Sequence, residues 1–471
     1  MTTLAPDEGA ARLDELIQPL GTRVFRAVEP LQMAAILESE GLNDKIARER
    51  YGHPDVFSLA EAAYGRVALM EPPRPPAAPV LRQARPAAQM AHGLLYALPA
   101  ALLPAASGLV GPQWLMPGLV LTTGIGWVIG SAAAQIAYSL IGRGFPRSAG
   151  RMLRAGLVLG VSAAVLTATV IAVVRDGPVS LVALCVTQMA FQIASGILLF
   201  YRREAWLAIM MLPAVLAGVG YVAVGEGPAG LMAVCLGVVC VAGLVGAAIL
   251  LTLREGVAAD PPASEPRLRT LLRANLGGLL PSFVFSLLSA LFLLQAEARY
   301  VLDRTDLAIA GAGLVFGMGV LEYRAHRFQD EARTLIREVC YPAEFTELTR
   351  GLLARGLLIC LSVLSTLALL PLTFLYATDA LSYGAAVMAA AHVTVGGSYF
   401  VAFLLASQGK VAHLCLAQGL ALAVHPGGRW LLPDPHSALA DVTLFLTAGL
   451  VFFTVLLVLM ARSLRDVQRY R

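Results

Sequence analysis

The chain has 471 residues, of which 58% are hydrophobic and 14% charged, with a formal net charge of +4 and a mean hydropathy of +0.72. A soluble domain carries about 25% charged residues, so water is excluded as the solvent for most of this chain. The small positive excess is accounted for by arginines beside anionic headgroups, each worth about 1 kcal/mol, and requires no nucleic acid.

Residues 1–70 are charged and read as a small helical cytoplasmic head. Apolar residues recur at helical spacing over 13–20, 31–38, 44–51 and 56–69, with Pro30 and Asn43 near two of the starts. The segment from Leu42 to Gly52 superficially suggests a helix-turn-helix, but a head that docks a partner synthase or glycosyltransferase, or simply caps the membrane part, is the preferred reading. The N-terminus lacks an apolar stretch of the kind that precedes a cleavage site, so the first span is expected to direct insertion. Residues 71–86 form a proline-rich linker, Glu71-Pro-Pro-Arg-Pro-Pro-Ala-Ala-Pro79, that favours an extended spacer.

Twelve apolar spans follow, at 88–110, 114–141, 152–174, 178–201, 205–225, 229–252, 274–296, 306–323, 352–376, 380–406, 411–426 and 438–461. Each is near the roughly 20 residues needed to cross a bilayer core as a helix. The eleventh is the weakest, because Pro426-Gly-Gly-Arg429 ends its apolar run early. Among the Lys and Arg residues beyond Pro86, all but Arg175, Arg299, Arg304 and Arg429 fall on one side of this arrangement. Basic residues in short loops mark the cytoplasmic side, so both termini are expected in the cytoplasm of a bacterial plasma membrane.

Spans three and nine both open on an interfacial arginine, Arg154 and Arg355, with a serine some residues on. Gly118-Leu-Val120 in span two matches Gly313-Leu-Val315 in span eight, and spans four and ten both end in a short polar turn, Tyr201-Arg-Arg-Glu204 and Ser407-Gln-Gly-Lys410. These similarities, in the same order, favour a parallel six-plus-six duplication. The expected fold is therefore an all-α polytopic membrane protein of two six-helix lobes, 87–253 and 274–471, joined by a cytoplasmic connection over 254–273.

No Asp, Glu, Lys or Arg lies near the middle of a span, which argues against an obvious carboxylate coupling site, since intramembrane charge commonly marks ion pathways. The polar candidates for a transport path are Gln135 and Tyr138 in span two, Gln188 and Gln192 in span four, His392 and Tyr399 in span ten, and Gln418 in span eleven. Hydrogen bonding between helices is the structural alternative for each. At the end of span eight, Glu322, Arg324, His326 and Arg327 form a candidate inner-gate cluster, since arginine suits phosphate headgroups. The apolar stripe Phe328, Ala332, Leu335, Ile336 and Val339 beyond it suggests an interfacial elbow. The six cysteines show no metal-ligand spacing and read as small apolar side chains. Walker A, G-x-S-x-G and H-E-x-x-H sequences are absent, so neither an enzyme, a metal nor a cofactor is expected.

The twelve-span plan, the repeat, and the passage Leu404-Leu-Ala-Ser-Gln-Gly-Lys-Val-Ala-His-Leu-Cys-Leu-Ala-Gln418 resemble the multidrug/oligosaccharidyl-lipid/polysaccharide (MOP) flippase superfamily. The charged helix after span eight looks like the corresponding region of its Pel-type exopolysaccharide exporters. The resemblance covers residues 88–465 and implies two lobes around a central cavity, alternating access, membrane lipids as surroundings, and a polysaccharide or lipid-linked glycan as cargo. The chain departs from the lipid-linked flippases in lacking arginines within its first two spans, and from cation-coupled drug exporters in lacking an acidic residue in span one. Two alternatives remain. One is a major-facilitator-type small-molecule or drug exporter, echoed by Gly142-Arg-Gly-Phe-Pro-Arg-Ser-Ala-Gly-Arg151. The other is a non-transporting scaffold whose head recruits a synthase.

Overall fold

In a computed structural model the chain divides into two units, Met1–Val80 and Leu81–Arg471. The structure describes residues 12–17, 20, 24, 27, 29–70, 86–224, 228–255, 268–300, 304–339, 341–431 and 437–464. Residues 71–85 of the linker, 256–267 of the connection between lobes, and Cys340 lie outside the described residues.

The smaller unit is a helical cluster. Besides a helical stretch at 12–17 it contains α1 (Pro30–Ser39), α2 (Asp44–Tyr51) and α3 (Val56–Leu69). Met33, Leu37, Leu59 and Ala63 are fully buried together. Each helix start has a local cause. Pro30 sits in the first turn of α1, where the missing N–H costs nothing. The Asn43 side chain accepts from the backbone N–H groups of Lys45 and Ile46 at 3.1 and 3.0 Å. Asp55 accepts from Ser58 N–H at 2.7 Å in a capping box. The Arg66 guanidinium clamps Asp14 through two hydrogen bonds of 2.7 and 2.6 Å.

The larger unit runs through α4 (Pro86–Met90), α5 (His92–Ala97), a 3-10 turn (Leu98–Leu102), α6 (Leu103–Val110), α7 (Pro112–Gly142), α8 (Pro146–Val174), α9 (Val179–Phe200), α10 (Glu204–Val224) and α11 (Pro228–Glu255). The second half is α12 (Leu268–Tyr300), α13 (Thr305–Ala310), α14 (Ala312–Glu338), α15 (Pro342–Ala377), α16 (Tyr383–Ser407), α17 (Val411–Arg429) and α18 (Ala438–Ser463). Span one is α4 to α6, broken around Pro99 and Pro104, and span eight is α13 with α14, broken at Gly311. Among the described residues ten helical segments are long and apolar enough to cross a membrane, and Leu280–Gln295 within α12 is a shorter apolar stretch. The eleventh span continues helically past Pro426 to Arg429, nineteen residues in all or about 28 Å. A helix satisfies all its own backbone groups, which is what hydrocarbon demands of a spanning segment.

The end of this bundle that carries Pro86 and Ser463 is termed proximal here, and the opposite end distal. The first six spans form the N-lobe and the last six the C-lobe, and the two repeat one packing plan. In the N-lobe, α7 packs on α8 and α9, α8 on α9, α10 and α9 each on α11, and span one on α10. Six spans later, α14 packs on α15 and α16, α15 on α16, α17 and α16 each on α18, and α12 on α17. The turns repeat as well. Asp176 and Asp379, after spans three and nine, both take left-handed backbone, with φ of 52° and 54°. The following N–H of Gly177 or Ala380 returns 2.8 Å to the carbonyl of Ala172 or Leu375. After spans four and ten, Arg202 (φ 56°) and Gly409 (φ 74°) do the same, with Arg203 and Lys410 N–H returning to Leu198 and Leu405. These are tight helix stops placed at matching points of the two halves.

Three expectations need correction. Span eight has no elbow after residue 323: α14 runs unbroken to Glu338, because the polar stretch holds good helix formers and its Phe328 and Ala332 are buried in the C-lobe core. Likewise α8 and α15 begin at Pro146 and Pro342, well before their apolar runs, as helices that extend beyond the hydrocarbon. Not every cysteine is a buried apolar side chain, since Cys235 is exposed on α11.

Candidate functional site at the seam between the lobes

The lobes meet chiefly along two helix pairs, α7 with α12 and the α4–α5 segment with α14. In the first pair Gln135 donates to Ser282 at 2.6 Å and Ser131 to Ser286 at 2.8 Å. In the second pair the backbones themselves touch. A Cβ on Gly93 would strike the carbonyl oxygens of Val315 and Phe316, and one on Gly319 would strike those of Gln89 and Met90. Glycine on both partners is the price of that approach, and it holds the proximal halves of spans one and eight together.

This contact delivers three ionisable side chains to one place. His92, at the start of α5, is buried (8% exposed). Its Nδ1 lies 2.8 Å from Glu322 Oε2 on α14, in the C-lobe. Its Nε2 lies 3.5 Å from Glu204 Oε1 on the first turn of α10, in the N-lobe. One turn beyond Glu322, His326 Nδ1 meets the Gln89 amide nitrogen at 3.2 Å. Tyr96 packs edge-on to the His92 ring, and Tyr138 packs on Phe200 with ring centres 4.3 Å apart.

The helical period sorts the expected inner-gate cluster into different environments. Glu322 and His326, four apart, share the face toward span one. Arg324 turns into the C-lobe toward Gly356 and Cys360 on α15, and Arg327 pairs with Glu331 along its own helix at 2.7 Å. The polar path residues are likewise dispersed. Gln135 is on the seam, Tyr138 is exposed beside it, and Gln188 borders an N-lobe cavity. Gln192 donates to the Thr123 carbonyl at 3.2 Å, holding α9 to α7. In the C-lobe, His392 Nδ1 lies 2.9 Å from the Met388 carbonyl, and its ring packs on Phe445. Tyr399 and Gln418 are buried.

Sequence reasoning missed His92 and Glu204, and also a second charged group at the distal end of the C-lobe. There His425 Nε2 lies 3.2 Å from Asp441 Oδ1, and Arg429 Nε lies 3.9 Å from the same oxygen. Asp441 is 4% exposed. His425 and Arg429 border a cleft of about 500 Å3 with Leu291, Leu294 and Leu422. Also at the start of distal helices of this lobe, Arg304 clamps Asp306 at 3.0 and 2.9 Å, and Ser382, which caps α16, donates to Asp306 at 2.5 Å. Carboxylates therefore do reach buried positions, through helix ends rather than helix centres. Among the described residues no group of three or more His, Cys, Asp or Glu is placed to hold a metal ion.

No protein-family model and no curated protein matches the chain. Solved structures do. One is an outward-facing multidrug resistance transporter of the MATE family in the MOP superfamily, with 12% identity and a TM-score of 0.50 over 84% of this chain and 99% of that one. Another is a MATE protein in complex with MaL6, with 14% identity and a TM-score of 0.50 over 83% of this chain and 100% of that one. At such identities the likeness is one of fold: the larger unit has the two-lobe architecture of MATE transporters.

Proposed function

We propose that the chain is a membrane transporter of MOP type that moves a polysaccharide or lipid-linked glycan outward by alternating access. In this reading the proximal end faces the cytoplasm of a bacterial plasma membrane. The observation that carries it is the pair of repeated six-helix lobes joined chiefly along two helix pairs, since rigid repeats rocking about a shared seam are the usual basis of alternating access. Gln135 at the seam and the exposed Tyr138 beside it offer amide and phenol groups that suit a hydroxyl-rich cargo, and the Pel-type resemblance of the helix after span eight points the same way. The head at 1–70 then serves as a docking point for a synthase.

A second reading, drug export, is supported by the multidrug resistance transporter of like fold. The two are separated by reconstituting the purified protein in liposomes with labelled lipid-linked oligosaccharide and free linear polysaccharide in one arm and a cationic amphiphilic dye in the other. Glycan translocation is the expected result. Dye movement alone would replace the glycan reading with drug export, and movement of neither would favour the scaffold.

A further inference from the structure

We propose that the cluster of His92, Glu204 and Glu322 is a proton-binding site whose occupancy decides whether the lobes are closed together at the proximal end. The inference rests on the alternating-access reading and adds the ion to which the motion responds.

Hydrogen-bond donors and acceptors must match within the cluster. An ionised carboxylate only accepts hydrogen bonds, whereas a neutral imidazole has one N–H donor and one lone pair, and an imidazolium has two donors. His92 presents one ring nitrogen to Glu322 and the other to Glu204. With both carboxylates ionised, only the imidazolium satisfies the arrangement. Removing its proton sets a lone pair against a carboxylate and takes the cluster from a charge of −1 to −2. In this partly buried place the repulsion is screened less than at the surface.

The position of each group decides what gives way. Glu204 lies in the first turn of α10, where the helix dipole favours negative charge, and it belongs to the same lobe as His92. Glu322 alone comes from the C-lobe. It is also the one ionic contact described across the α5–α14 pair, whose glycine packing holds only while the backbones stay in register. Loss of the proton therefore frees the contact that lobe separation would break.

The surroundings contain other titratable or charged groups. Tyr96 on α5 and Tyr138 on α7 are within electrostatic reach of Glu322, and Arg202 is within reach of Tyr138. Arg203 is engaged by Glu255 at 3.1 Å, and Tyr323 on α14 faces Arg327. His326 is the competing histidine, but it is exposed and its partner is the neutral Gln89 amide. Sodium is the competing ion, although hard cations prefer oxygen ligands to an imidazole.

The test is a distance measurement between spin labels at Gly142→Cys, at the open proximal end of α7, and Ser407→Cys, at the exposed proximal end of α16. Cys235, Cys340 and Cys415 are replaced by Ala, and the full chain is held in lipid nanodiscs. The expected result is a shift from a short to a long distance as pH rises from about 5 to about 8, the range in which histidine changes charge. It should be lost in His92→Gln and Glu322→Gln, retained in His326→Asn, and unaffected by exchanging sodium for choline. Two populations insensitive to pH would overturn the proton site while leaving alternating access standing. A single population at every pH would overturn both. Retention of the shift in both His92→Gln and Glu322→Gln, its loss in His326→Asn, or a shift driven by sodium would also overturn the proposal.

Discussion

In the distal half of the N-lobe the helices close over an apolar cavity of about 130 Å3 between spans one, two, four, five and six, lined by residues such as Leu102, Phe191, Met211 and Val241. The matching region of the C-lobe, between spans seven and eleven, is a cleft of about 500 Å3 bordered by His425 and Arg429, with Asp441 buried behind them. The two regions share a packing plan and a set of turns, yet among the described residues only one holds buried charge. Duplication thus preserved the shapes that let helices pack, which depend on small residues and turn backbone. Polarity diverged, because a charged group needs only a local partner to be tolerated.

The strongest way to break this contrast is Asp441→Ala. It leaves His425 and Arg429 without their carboxylate, and removing one member of a buried charged group costs about 3–5 kcal/mol. Thermal unfolding in detergent should show it, and a loss no greater than that of the N-lobe variant Arg154→Ala, whose partner is the Thr252 hydroxyl, would remove the distinction. Next in size is Gly93→Ala, which pushes span one away from the carbonyl groups of span eight and should cost about 1–3 kcal/mol, as overpacking does. Gly130→Ala, whose new methyl would meet open space, should be neutral or slightly stabilising in the same assay.

Gln418→Leu sharpens the question of which buried polar residues matter. Both amide atoms of Gln418 are buried without a hydrogen-bond partner, so an apolar side chain of similar size should stabilise by about 1 kcal/mol. Loss of transport in a protein so stabilised would assign Gln418 to the cargo path. The smallest effect belongs to the head. The hydrogen bonds from the Arg66 guanidinium hold the Asp14 carboxyl below the usual carboxylate range. The stability it contributes is present above about pH 4 and is lost as pH falls through the lowered folded value. Asp14→Asn should remove that small contribution at neutral pH and so flatten the acid limb of the stability curve of the head, as followed by circular dichroism, with little change below the lowered folded value.

The helices of the bundle were legible because hydrocarbon leaves a chain few choices: α7, α9, α16 and α18 lie within a few residues of their apolar runs. In the head, α2 and α3 begin where Asn43 and Asp55 cap them. What could not be read was where polar water-facing helix would continue, as in α14 and α15, since helix periodicity says nothing of the membrane boundary. The candidate site was half legible. Glu322 and His326 were found from the charge density at the end of span eight, but His92, the partner of Glu322, and Glu204, which faces the other nitrogen of His92, are single polar residues at the starts of other spans. Only the close glycine contact of Gly93 and Gly319 shows that the three belong together. Gly313 and Gly317, four apart on one face of α14, are both set against α15.

Parting of the two lobes at the contact of the α4–α5 segment with α14 is tested most directly by fixing that contact. Gln89 and His326 meet across it at 3.2 Å, so Gln89→Cys with His326→Cys can be joined by a short, cleavable bis-thiol reagent after Cys235, Cys340 and Cys415 are removed. The joined protein is expected to stop exporting its cargo and to regain export on cleavage. Export by the joined protein at the rate of the unjoined one would contradict it.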